Sequence, residues 1–121
     1  MRYYKKLQPT TEAILRIRKW EEAHLPVDQS SLAYDLLTVV AHNTVAGTPV
    51  SLKQLFISLN YSEAGIRKQL RRMLADDWLA LEGIKKDRRV RVIVAKPKML
   101  DVLTDYAEVL KDAYSESSVV S

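Results

Sequence analysis

Between Ser51 and Ala95 the hydrophobic period of this chain changes once and is interrupted once. Leu52, Leu55, Phe56 and Leu59 recur at helical spacing, Asn60-Tyr61-Ser62 breaks the run, and Ile66, Leu70, Met73 and Leu74 resume it. From Trp78 onward the period falls to two, with Val90, Val92 and Val94 alternating with Arg91 beyond a charged tip. A period near 3.6 marks an amphipathic helix, and a period of 2 marks a half-buried strand. The break is short, Asn tolerates left-handed backbone angles, and Ser62 can cap the second helix. The order is helix, tight turn, helix, strand, tip, strand, which few folds accommodate. It is a helix-turn-helix followed by a hairpin.

The flanking segments supply a frame. Residues 1–9 are a basic, aromatic lead-in ending at Pro9. Thr10 or Thr11 then caps a helix over 10–25, with Glu12 near its positive end and Ala13, Ile14, Ile17 and Trp20 at helical spacing. Arg16, Arg18, Lys19, Glu21 and Glu22 occupy its polar side. This helix either packs on the core or joins a dimer interface with Trp20 as anchor. Asp28 to Ser31 caps a further helix, about 32–46, which Gly47 stops. Leu32, Ala33, Leu36, Leu37, Val39, Val40 and Val45 leave it little polar surface, so it is expected to be central. Thr48 to Ser51 reads as a turn, with Ser51 capping the next helix.

The second helix of the helix-turn-helix pair runs from about Glu63 to Ala75. Strands are expected at 78–82 and 90–95, with the tip at 83–89 and Trp78 closing the core. The last helix is expected at 99–114. Its seam is Met99, Leu103, Tyr106, Leu110 and Ala113, and Asp101, Asp105, Glu108 and Asp112 face away from it. So wide an apolar face at the end of the chain predicts self-association. The fold class is therefore mainly α with a small β-hairpin (α+β), a winged helix-turn-helix. A single domain over 1–121 is expected, comprising an N-terminal helix (10–25), the winged core (30–95) and a C-terminal dimerisation helix (98–114).

Composition excludes several classes of function. With no cysteine there is no disulfide, zinc finger or thiol nucleophile, and a cytoplasmic location fits. His24 and His42 lack metal-ligand spacing, and His42 reads as a structural histidine. Three glycines form no phosphate-binding loop, and no carboxylate pair is set for acid–base work. The chain is expected to be no enzyme and to need no cofactor. No apolar run is long enough to span a membrane.

The net charge of +4 conceals a marked asymmetry. Residues 62–98 hold eleven basic and five acidic residues, a local +6, whereas 99–121 hold one basic and five acidic, a local −4. A basic centre of this kind suits a polyanion. On the second helix of the pair Lys68, Arg71 and Arg72 oppose the apolar stripe, Arg67 flanks them, and Ser62, Ala64 and Gly65 leave the leading end small. Small residues there let a helix enter a major groove, and cations further along reach base edges and phosphates. Gly65 inside a helix costs about 0.8–1.0 kcal/mol against Ala. Close approach to a partner surface explains it, and so does a tight crossing against a neighbouring helix. One basic helix face is commonly plain solvated surface. The second cluster, Lys85, Lys86, Arg88 and Arg89 at the tip, favours nucleic acid.

With these residues in view, the chain resembles the MarR family of winged-helix transcription regulators. Gly65-Ile66-Arg67-Lys68-Gln69-Leu70-Arg71-Arg72-Met73 aligns with that family's T-V-S-R-L-V-D-R-L, and Asp87-Arg88-Arg89-Val90-Arg91-Val92 with its D-R-R and V-x-V wing. The resemblance implies a brace role for Asp87 and a minor-groove contact for Arg88 or Arg89. It also implies double-stranded DNA as partner and a homodimer built from terminal helices. A small-molecule effector site is a further implication, with Tyr3, Tyr4, Trp20, Tyr34 and Tyr106 as its candidate lining. The glycine that usually comes after the family's recognition helix is Asp77 here. Two other readings stay open: a winged-helix protein-interaction module, and a non-specific or replication-linked DNA-binding protein.

Overall fold

The computed structural model describes residues 2–84 and 87–118; of 2–3, 87–89 and 116–118 it describes the backbone alone. A 3-10 turn, Arg2–Leu7, leads into α1 (Gln8–His24). Next come α2 (Ser31–Val45), β1 (Val50–Ser51), α3 (Leu52–Ser58), α4 (Glu63–Ala75), β2 (Leu79–Ile84), β3 (Asp87–Ala95) and α5 (Pro97–Ser118). Contacts divide the chain into two compact units, Pro26–Asp101 and the two terminal segments Met1–Leu25 and Val102–Ser121. Length alone suggests one domain.

The unit Pro26–Asp101 is a winged helix-turn-helix. Its helices start where short-range chemistry dictates. The Ser30 hydroxyl accepts the Ala33 N–H at 3.1 Å and starts α2. Ser51 and Gln54 form a reciprocal capping box at α3 (3.2 and 2.8 Å). Ser62 accepts the Gly65 N–H at 3.1 Å and starts α4. Gly47 lies just past α2 at φ +78°, the left-handed stop that glycine takes without strain. α2 is central, burying Ala33, Leu36, Leu37, Val40 and Ala41, although Val45 at its end is exposed, as is His42. Leu36, Leu55, Ile66, Met73, Leu79, Ile93 and Met99 complete a closed core.

The sheet has three strands in the order β1-β3-β2, all antiparallel, where a two-stranded hairpin was expected. β1 is two residues long, too short to show a period, and exists because Val50 and Ser51 pair with Ile93 and Val92. The central strand also departs from simple alternation. Ile93 is fully buried and its neighbour Val92 nearly so, while Val90 is exposed. Successive residues point to opposite faces, so both faces of β3 are covered at this level. α5 begins at Pro97, whose missing N–H is no loss at a helix start. Met99, assigned from periodicity to a dimer seam, is instead completely buried within this unit and has no surface to offer a partner.

The terminal segments form the other unit. α1 begins at Gln8, with Pro9 inside its first turn, and neither Thr10 nor Thr11 caps it; Thr11 instead donates to the Gln8 carbonyl at 3.0 Å. Trp20 stacks on Tyr106 (5.1 Å between ring centres) and on His24 (4.3 Å). Glu21, expected on the polar side of the helix, is only 4% exposed. A buried carboxylate requires partners, and it has the Tyr106 hydroxyl, donating, and Arg18 at 3.5 Å. Among the described residues no helix is long and apolar enough to cross a membrane.

Candidate nucleic-acid interface

α4 is anchored on one side and charged on the other. Ile66, Leu70 and Met73 are buried, and at 100° per residue this leaves Ala64, Arg67, Lys68, Arg71 and Arg72 exposed. Glu63 sits at the positive end of the helix, where an acid is favoured, and does not neutralise the cations further along. Among the described residues Lys68, Arg71 and Arg72 have no carboxylate partner. The pairs Arg67–Arg71 and Lys68–Arg72 are like charges four residues apart, each destabilising by about 0.2–0.5 kcal/mol. A polyanion laid along this face removes that penalty.

Two residues expected on the groove face have reasons within the chain. A Cβ on Gly65 would lie 3.0 Å from Ser62 Oγ and 3.3 Å from Leu32 Cδ2. The glycine therefore admits both the cap of α4 and the side chain of α2. Ser62 Oγ is itself occupied by the cap. Arg67 lies 4.9 Å from the centre of the Phe56 ring, a cation–π contact joining α4 to α3. Arg67 is nevertheless exposed.

The link from α4 to the wing fixes their geometry. The Trp78 N–H donates to Met73 O and its carbonyl accepts from Lys96 N, both at 3.0 Å, so the half-buried tryptophan ties α4 to the end of the sheet. Asp77, in place of the expected glycine, adopts φ +63°. Aspartate is among the few residues that visit this region, and Lys96 holds its carboxylate at 3.1 Å. Lys98 donates to Asp76 O at 2.9 Å and lies 4.1 Å from the Trp78 ring centre. Lys96 and Lys98, two cations of the basic segment, are thus engaged within the chain.

β2 and β3 stay paired out to Ile84 and Asp87, with an irregular register at Gly83/Ile84, so the strands continue into the segment expected to form the tip. Lys85 and Lys86, together with the side chains of Asp87, Arg88 and Arg89, lie outside the described residues. Arg91 is an exposed wing cation to which alternation assigns an outward face but no binding role. Its cross-strand neighbour is Gly83, which has no side chain to cover it. That pairing across the hairpin is the signal that alternation lacks.

Of the aromatic residues suggested for an effector site, Trp20 and Tyr106 stack on each other, Tyr4 is in the same unit and exposed, and Tyr34 belongs to the winged unit. The side chain of Tyr3 is outside the described residues. No described cluster of three or more His, Cys, Asp or Glu side chains is arranged to hold a metal.

This arrangement has relatives among solved structures. The chain superposes on the transcriptional regulator Tm0710 from Thermotoga maritima with a TM-score of 0.63, at 16% identity, over 95% of this chain and 78% of that one. It superposes on the apo form of MarR from E. coli with a TM-score of 0.60, at 11% identity, over 91% and 77%. For BpsR of Bordetella bronchiseptica, whose DNA binding is regulated by 6-hydroxynicotinic acid, the TM-score is 0.54 at 15% identity, over 89% and 75%. No family model matches the sequence, and no curated protein matches it. The likeness at these identities is one of backbone: the chain has the winged-helix fold of MarR-type regulators.

Proposed function

We propose that this protein is a sequence-specific, double-stranded DNA-binding transcription regulator that acts as a homodimer and is not an enzyme. The observation that carries the reading is the face of α4. Lys68, Arg71 and Arg72 stand exposed and unneutralised on a helix whose opposite side is locked into the core. In this reading α4 enters the major groove, with Lys68, Arg71 and Arg72 on base edges and phosphates and Arg67 on a phosphate. Ala64 faces the groove floor. Arg91, Lys85, Lys86, Arg88 and Arg89 bring the wing to the flanking backbone or minor groove, with Asp87 as brace. The dimer forms through the terminal segments, around Leu103 and Leu110, with Trp20 and Tyr106 beside them. Regulation by a small molecule, which BpsR shows with 6-hydroxynicotinic acid, belongs to the same reading.

Selection from a pool of random duplexes with the purified protein tests this directly. The expected result is a roughly palindromic consensus with half-sites about 10 bp apart or a multiple of that. On the selected site Arg72→Glu should weaken binding at least about tenfold, the loss of one strong charge-assisted contact. Lys19→Glu, on exposed α1, is the charge-matched control and should change affinity less than about twofold. Arg18 is unsuitable for this purpose because it contacts buried Glu21. Equal effects at the two positions overturn the assignment. Capture of a defined protein with no selected DNA favours the interaction-module reading, and binding without a consensus favours a non-specific binder.

A further inference from the structure

In the winged unit a groove of about 540 Å³ runs between α2 and the turn that precedes α4. Tyr34, Tyr61, Val39, Leu59 and Asn60 are among the residues that line it. Asp35 is the single ionisable acid in its lining, and no lysine, arginine or histidine lines it. Among the described residues the only polar contact of the Asp35 side chain is with the Tyr61 hydroxyl, which donates to Oδ2 at 2.7 Å. A carboxylate has acceptor sites for about four hydrogen bonds, so Asp35 can accept further donors. The Thr38 and Ser58 hydroxyls do not compete for it, since Thr38 donates to Tyr34 O at 2.7 Å and Ser58 toward Leu55 O at 3.4 Å.

We propose that this groove binds a small aromatic or alkyl ammonium compound, its charged nitrogen on Asp35 and its apolar body against Tyr34, Tyr61, Val39 and Leu59. A cation gains from the carboxylate and from the ring faces together. An anion of the same size meets the Asp35 charge with no lysine, arginine or histidine in the lining to offset it. The volume falls within the usual range for small-molecule sites, about 300–1,000 Å³. The Tyr61 phenol donates to the carboxylate and is displaced, or shares it, when the ammonium enters. Tyr61 immediately precedes Ser62, the cap of α4, so the ligand reaches the start of the recognition helix. That consequence rests on the DNA reading; the binding itself does not.

The test uses the full chain without DNA, titrated with benzylamine (an ammonium ion at pH 7) and, separately, with benzoate. Binding is followed by amide chemical shifts. Benzylamine should give saturable shifts at residues around Asp35 and Tyr61, and benzoate none there. Asp35→Asn should weaken benzylamine at least about tenfold. Tyr61→Phe keeps the ring and removes the competing hydroxyl, so affinity should hold or rise. A merely structural role for the Asp35–Tyr61 bond would weaken both variants alike. No saturable shift in the groove, equal response to benzoate, or parallel losses in the two variants would each overturn the proposal. Failure of the DNA selection would leave these outcomes unaffected.

Discussion

The two compact units are built on opposite terms. Pro26–Asp101 contains nearly all of the large buried hydrophobics, among them Leu36, Leu55, Ile66, Met73, Leu79 and Ile93. The terminal segments bury Leu25, but otherwise only the alanines Ala13 and Ala113 among their described hydrophobic residues. They leave Tyr4, Leu7, Ile14, Leu15, Leu110 and Tyr114 substantially exposed. What they do bury is polar and specific: Glu21 held by Tyr106 and Arg18, beside the His24–Trp20–Tyr106 stack. Burial of apolar area, at roughly 25 cal/mol per Å², is the main favourable term in folding. A unit with so little of it gains stability if another surface covers it. The winged core thus has a closed apolar interior, whereas the terminal helices leave apolar surface open, which is the physical basis of the dimer proposal.

The largest effect should come from the winged core. Ile93→Ala removes a fully buried side chain from the central strand and should cost about 2–5 kcal/mol in denaturant unfolding. A similar loss from Leu15→Ala in dilute, monomeric protein would break the comparison. Next, the melting temperature of the wild-type chain should rise with protein concentration, because a partner present at about 100 times the dissociation constant adds about 2.7 kcal/mol. Leu15→Glu combined with Leu110→Glu should abolish that dependence and give a monomer by sedimentation, while substitutions at exposed positions such as these cost the isolated chain little. Unchanged sedimentation would remove these residues from the interface. A smaller effect is expected at Asp77. Asp77→Gly accepts φ +63° freely whereas Asp77→Ala does not, so the alanine variant should be the less stable of the two by about 1 kcal/mol.

The smallest effect concerns Tyr61. Its hydrogen bond to Asp35 raises its pKa above the ordinary tyrosine value of 10.0, with desolvation and the Asp35 charge acting in the same direction. A raised pKa means that the folded state favours the neutral phenol. The stabilisation is therefore fully present below the unfolded pKa and is lost as pH rises through the folded one. Ultraviolet titration should place the Tyr61 pKa above its ordinary value, and Asp35→Asn should lower it.

How much of this could be read from the sequence depended on the range of the interaction involved. The boundaries of α4 were legible because Ser62, the Ile66-Leu70-Met73 stripe and the opposing cations all act within a few residues. The stop at Gly47 and the cap at Ser51 were legible for the same reason. β1 was not, because two residues become a strand only through β3. Nor was the burial of Glu21, whose partner Tyr106 is 85 positions away. Met99 shares the helical period of Leu103 and Tyr106, but the period does not reveal that Met99 belongs to the winged core while the other two belong to the terminal segments. Gly65 had two readings of equal merit, and only the approach of Leu32 from α2 selected one.

The sequence by itself therefore determined the order of the main helices and the hairpin, the winged helix-turn-helix and the charged face of α4. Caps, periodicity and charge are local properties of a chain. The tertiary structure alone decided which hydrophobic residues form the core, which carboxylate is buried, which cations are engaged within the chain, and that Asp35 meets Tyr61 across a groove. Each of these depends on residues brought together from distant positions, and no spacing along the chain encodes them.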